Sequence, residues 1–184
     1  LAERMAPKSL AIFNANDIMP TNADGTMPFR QNNDLFYLSG VDQEDSILVV
    51  FPDAPNAKHK EILFLKETNE EIAIWEGEKL TKEKAVESSG VETIVWLQDF
   101  EKTLQTIIFE ADTVLLNDNE HLRQGNEVET RDDRFRKWCK EKFPNHNYGR
   151  VAPIMDYLRS VKEPEEIEMM QEACNITAKA VDRA

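Results

Sequence analysis

Three histidines, His59, His121 and His146, and two cysteines, Cys139 and Cys174, are the side chains of this sequence best suited to hold a zinc-like ion or to move a proton near neutral pH. Their spacing argues against both. The histidines are scattered through polar stretches, and no HExxH or Asp-x-Asp pattern gathers ligands on one element. The cysteines show no CxxC spacing, so neither a zinc site nor a disulfide framework is expected, and a reducing compartment, with the cytoplasm as default, is the simpler setting. Glu70-Glu71 and Glu165-Glu166 are paired acids, but with no cleft signalled around them they read as solvated faces or helix starts. The sequence has no GxSxG and no glycine-rich phosphate loop. On these grounds no catalytic residue and no metal ligand is assigned.

Three other positions carry more. Residues 27–40, MPFRQNNDLFYLSG, place Arg30, Gln31, Asn32 and Asn33 directly before an apolar run, and so many donors and acceptors next to a core demand partners. Such a segment is either a polar plug tying loops to the core or the lip of a pocket. Trp75 follows the alternation of Ile72 and Ile74 and precedes Gly77, so it could close the core or project outward from a strand end. Arg159 could be a salt-bridge or capping residue, or a guanidinium that grips a carboxylate.

The elements that position these residues are readable in outline. The aromatic run 35–38, closed by Gly40, predicts a strand buried on both faces. Residues 10–13, 46–51, 61–66, 93–97 and 114–116 predict further strands, with 46–51 and 61–66 antiparallel across the turn at 52–56. Helices are expected over 80–89, from an Asp99 cap through 109, and over 131–143 with Phe135, Trp138 and Cys139 on one face. The start of the chain, ended by Pro7, reads as the last turn or two of a helix, and 118–130 as a loop. Glu163-Pro164-Glu165-Glu166 opens a last helix whose face Ile167, Met170, Cys174, Thr177, Val181 and Ala184 runs to the final residue. A chain that stops in mid-helix is expected to continue in a longer polypeptide. Strand–helix alternation then gives an α/β domain with a mixed sheet of about six strands and helices on both faces.

A net charge of −13 disfavours nucleic acid as a partner. The apolar runs fall far short of the roughly 20 residues that span a bilayer, so no membrane segment is expected.

Residues 29–40 resemble the (Tyr/Phe)-Arg-Gln-Asn-x-Asp-(Phe/Leu)-x-Tyr-x-(Ser/Thr)-Gly signature of the amino-terminal domain of aminopeptidase P, in the creatinase and prolidase superfamily. Two further elements support the likeness. Trp75-Glu76-Gly77-Glu78-Lys79-Leu80 is similar to the family's Trp-x-Gly element, although aromatic and Arg residues would be expected after the Trp. Residues 158–167, LRSVKEPEEI, are similar to the Arg-x-x-Lys-x-Pro-x-Glu-Ile junction between its domains.

The resemblance implies a creatinase-like mixed six-stranded sheet with a ribonuclease H-like motif over residues 1–162, and a helix at 163–184 entering a catalytic domain that lies outside the chain. It implies an Xaa-Pro aminopeptidase as the parent, which removes the N-terminal residue from peptides with proline second. Two divalent metal ions, usually manganese, would sit in that catalytic domain, and this fragment alone would be inactive. The implied partners are the proline-containing peptide, the carboxy-terminal catalytic domain and further copies in a homo-oligomer. Trp75 would reach the substrate cleft of a neighbouring subunit and Arg159 would line the cleft mouth. Asp24 matches a loop acid near the same cleft, where a plain surface loop is the simpler reading of the residue itself. The alternative is an interaction or oligomerisation domain of a catalytically inactive or prolidase-like relative.

Overall fold

A computed structural model describes residues 1–121, 125 and 127–183. Among them, six strands form one mixed sheet in the order β4-β3-β2-β1-β5-β6: β1 (Ser9–Asn14), β2 (Ile47–Val50), β3 (Glu61–Leu65), β4 (Thr93–Trp96), β5 (Thr113–Leu116) and β6 (Asn147–Arg150). β2 runs antiparallel to both its neighbours, whereas β1–β5, β5–β6 and β3–β4 are parallel pairs. The carboxyl ends of β1, β5 and β6 therefore open on the same edge of the sheet.

Strands buried on both faces read as continuous apolar runs, because alternate side chains serve opposite layers. Leu10 and Ile12 of β1, Val49 of β2 and Phe64 of β3 point to one side, where α4 (Phe100–Ile108) and α5 (Arg131–Lys142) supply Leu104, Ile107, Ile108 and Cys139. Ala11, Phe13, Leu48 and Leu63 point to the other, against Leu35 of α1 (Asn33–Ser39), Ala85 of α3 (Lys82–Ser89) and Met155 of α6 (Ala152–Ser160). Phe13 and Phe64 are wholly buried, and each contributes about 1.5–3 kcal/mol by leaving water. The two apolar layers are the two faces of one sheet.

The 35–38 run is not a strand. It lies in α1, a helix whose ends are set locally. Asn32 Oδ1 accepts from the backbone N–H groups of Asp34 at 3.0 Å and Leu35 at 3.3 Å. Gly40 closes the other end in the left-handed region at φ 67°, donating its N–H to Phe36 O. Capping at both ends outweighs the β preference of Phe36 and Tyr37, which stay partly exposed, while Leu35 and Ser39, four residues apart, are buried on one face. The place of the expected strand in the sheet is taken by β6, whose sequence Asn-Tyr-Gly-Arg has almost no apolar signal.

Trp75 is likewise not on a strand. It belongs to α2 (Glu70–Glu76), started by Asn69 Oδ1 accepting from Ile72 N–H at 2.8 Å. The indole is 86% exposed, so it does not close the core. The start of the chain makes a single 3-10 turn over Ala2–Arg4, and Asp99 stands at the α4 N-cap without a side-chain cap bond. The expected 118–130 loop carries no strand or helix where it is described; residues 122–124 and 126 lie outside the described residues, as does Ala184. The last helix, α7 (Pro164–Val181), begins with a reciprocal pair in which Glu163 and Glu166 side chains accept from each other's backbone N–H. None of its residues is buried, and Ile167, Met169, Met170, Ile176 and Val181 face solvent.

Candidate functional site

A groove of about 1410 Å³ opens at the carboxyl ends of β1, β5 and β6. Crevices of α/β sheets form at this edge because the chain turns away from the strand ends toward opposite faces. Asn16 and Asp17 follow β1, Asn117 to Glu120 follow β5, and Met155, Asp156 and Arg159 come from α6. The first turns of α1 and α5 supply Asn32, Asp34 and Asp132.

Gln31 anchors the groove floor to the core. Its amide Nε2 donates to Val41 O at 3.1 Å and Gln43 O at 2.8 Å and reaches Ser46 Oγ at 3.2 Å, and its Oε1 accepts from Asn32 N–H at 2.8 Å. Gln43 passes the tie on, accepting from Leu80 N–H at 2.8 Å. The polar run before α1 is thus both a plug and the lip of a pocket.

Asn32 is the hub. Besides capping α1, its Oδ1 accepts from Asn117 Nδ2 at 3.4 Å and its Nδ2 reaches Asp132 Oδ2 at 3.5 Å. Asp132 Oδ1 accepts from Asn14 Nδ2 at 2.9 Å, so β1, the α1 N-cap and α5 meet on one carboxyl group. Burial pushes that carboxyl up from 3.8 to about 7, with the charge of Asp118 adding to the rise; the Asn14 hydrogen bond, Arg136 and Arg131 act against it. An acid poised there can hold or release a proton at neutral pH.

Of the residues singled out from sequence, Arg159 is in the groove. Its Nη1 donates to Asp34 Oδ1 at 2.7 Å, and Tyr37 O–H donates to Leu158 O at 3.3 Å, so α1 and α6 are held together at two points. Trp75 and Asp24 do not line this groove, and Asp24 is exposed on a loop. The structure therefore does not bring the three residues into one site. Sequence reasoning missed Asn14, Asn117 and Asp132. The available signal was an Asn ending each of two apolar strands and an acid in the first turn of a helix capped by Thr130. Among the described residues, no group of three or more His, Cys, Asp or Glu could hold a metal ion, and no helix is long and apolar enough to cross a membrane.

The family described as "Aminopeptidase P, N-terminal domain" matches residues 1–116. Xaa-Pro aminopeptidase of Escherichia coli is 27% identical over 190 residues, covering 100% of this chain and 42% of the relative. Human Xaa-Pro aminopeptidase 3 is 28% identical over 155 residues, covering 83% of this chain and 30% of the relative. In a solved structure of zinc-substituted E. coli aminopeptidase P in complex with product, the likeness extends over 97% of this chain and 40% of that one, at 25% identity and a TM-score of 0.78. The chain thus spans less than half the length of these relatives. With the motif of residues 29–40, the sheet order and a family match over most of its length in agreement, the chain belongs to the aminopeptidase P N-terminal domain family.

Proposed function

We propose that residues 1–162 are the non-catalytic amino-terminal domain of a metal-dependent Xaa-Pro aminopeptidase and that α7 leads into its catalytic domain. The observation that carries this reading is a likeness running the whole length of this chain yet reaching only 42% of the E. coli enzyme. The parent would remove the N-terminal residue from peptides with proline second, in the cytoplasm. Its two divalent ions, which we take to be manganese, do not fit the residues described here, since no described cluster offers enough ligands; they would be held by the catalytic domain. This domain would shape the substrate cleft and build the homo-oligomer. Trp75, exposed on α2, would wall the cleft of an adjacent subunit, with Arg159 and Asp24 at its margin; a rigid amphipathic ring suits such a wall.

The test compares this chain alone with a polypeptide that continues past α7, each assayed with manganese on a peptide with proline second and on one without. The reading expects turnover only from the longer protein and only of the proline peptide. No turnover by the longer protein, with its fold intact, would support an interaction domain of an inactive relative instead.

A further inference from the structure

Most acids on the groove wall already have a cation. Asp17 pairs with Arg134, Asp34 with Arg159, Asp118 with Arg136 and Glu120 with Arg150. Asp132 differs. Among the described residues its oxygens meet only the side-chain amides of Asn14 and Asn32, and no Lys, Arg or His forms an ion pair with it. Beside it Asn117 lines the groove at 3% exposure with its Oδ1 unpartnered, and the Oδ1 of buried Asn14 is unpartnered too. Acceptors exceed donors at this point, and a buried acceptor without a donor is destabilising until one arrives.

We propose that the inner end of the groove binds a small cationic donor, a guanidinium or primary ammonium group, with Asp132 and Asn117 as its acceptors. Such groups carry several N–H donors and no acceptor, which complements what the site lacks. The last torsion of an Asn side chain is soft, so the Asn117 amide can turn its oxygen toward an arriving N–H. This inference does not rest on the aminopeptidase reading.

The bound cation needs the ionised carboxylate, so it competes with a proton. The charged groups around Asp132 are Asp118, Glu120 and His121 beyond β5, Glu129 just before α5, Arg131, Asp133 and Arg136 on α5, Asp34 on α1, Asp156 and Arg159 on α6, and Asp17 and Arg30 between β1 and α1. With burial holding the Asp132 carboxyl at about 7, the competent form rises from about a tenth of the molecules at pH 6 to about nine tenths at pH 8. Apparent affinity should therefore be about tenfold tighter at pH 8.

The experiment titrates this chain with agmatine at pH 6 and pH 8, following the side-chain amide NMR signals of Asn14 and Asn117. Shifts at those amides, about tenfold tighter binding at pH 8, and loss of both affinity and pH dependence in Asp132→Asn are expected. Asn117→Ala should weaken binding while leaving the Asp132 titration in place, which keeps the test decisive if Asp132→Asn perturbs the fold. Glu172→Gln, an exposed acid on α7, should change nothing. Absence of shifts at saturating agmatine, equal binding by Asp132→Asn, or equal loss in Glu172→Gln would overturn the proposal, the last by showing diffuse attraction to an acidic surface. Repeating the titration on a longer polypeptide separates the sources of the group: retained binding supports a free ligand, and blocked binding supports a basic side chain of the polypeptide itself.

Discussion

Arg159 Nη1 donates to Asp34 Oδ1 at 2.7 Å, joining the first turn of α1 to the last turn of α6 across most of the chain. The carboxylate is mostly buried while the guanidinium is 42% exposed, so solvent weakens the pair. Either Arg159→Ala or Asp34→Ala should lower stability by about 0.5–1 kcal/mol. Together they should lose less than the sum, as denaturant titration of the double-mutant cycle would report. Additive losses would mean that the two side chains do not interact in solution.

Asp132→Asn should change how stability depends on pH. The folded carboxyl titrates at about 7, above its ordinary 3.8, so the folded state binds the proton more tightly. That contribution is fully present below pH about 4 and is lost as pH rises through about 7. The neutral isostere should be flat across this window relative to the parent and the more stable of the two at pH 8, by up to about 4 kcal/mol. Unfolding in urea, which carries no charge to compete for the carboxylate, at pH 4, 6 and 8 measures the difference; parallel curves would place the carboxyl back at its ordinary value.

Trp75→Ala should leave stability within about 0.5 kcal/mol, since the exposed indole packs on no core residue. Removing a buried Trp would instead cost about 3–5 kcal/mol. In the longer protein the same change should lower turnover of the proline peptide per folded molecule. Unchanged kinetics there would remove Trp75 from the cleft.

The sheet was largely legible because a strand covered on both faces must be apolar at every position, as residues 10–13, 47–51 and 114–116 are. Edge strand β6 was not, because its place rests on backbone pairing with β5 and on Gly149, where an added Cβ would meet Leu115 Cδ2 at 2.6 Å. Periodicity over four residues could not separate helix from strand at 35–38; the caps at Asn32 and Gly40 settled it. The groove was half visible. Residues 30–34 stood out as polar groups beside a core, but Asn14, Asn117 and Asp132 are far apart in sequence and meet only once β1, β5 and α5 are side by side.

The parallel pairing of β1 with β5, Ser9 beside Thr113 and Ile12 beside Leu116, has a consequence for how the chain leaves the ribosome. The β1–β4 half can assemble as soon as its own residues emerge, but one edge of β1 then waits, with its row of N–H and C=O groups open, until β5 has been made. Leu10 to Phe13 are among the most apolar residues of the sheet, so this interval is when a nascent chain is most exposed to pairing with a neighbour. Slowing synthesis between β4 and β5 should raise aggregation, whereas a pause after β6 has emerged should not.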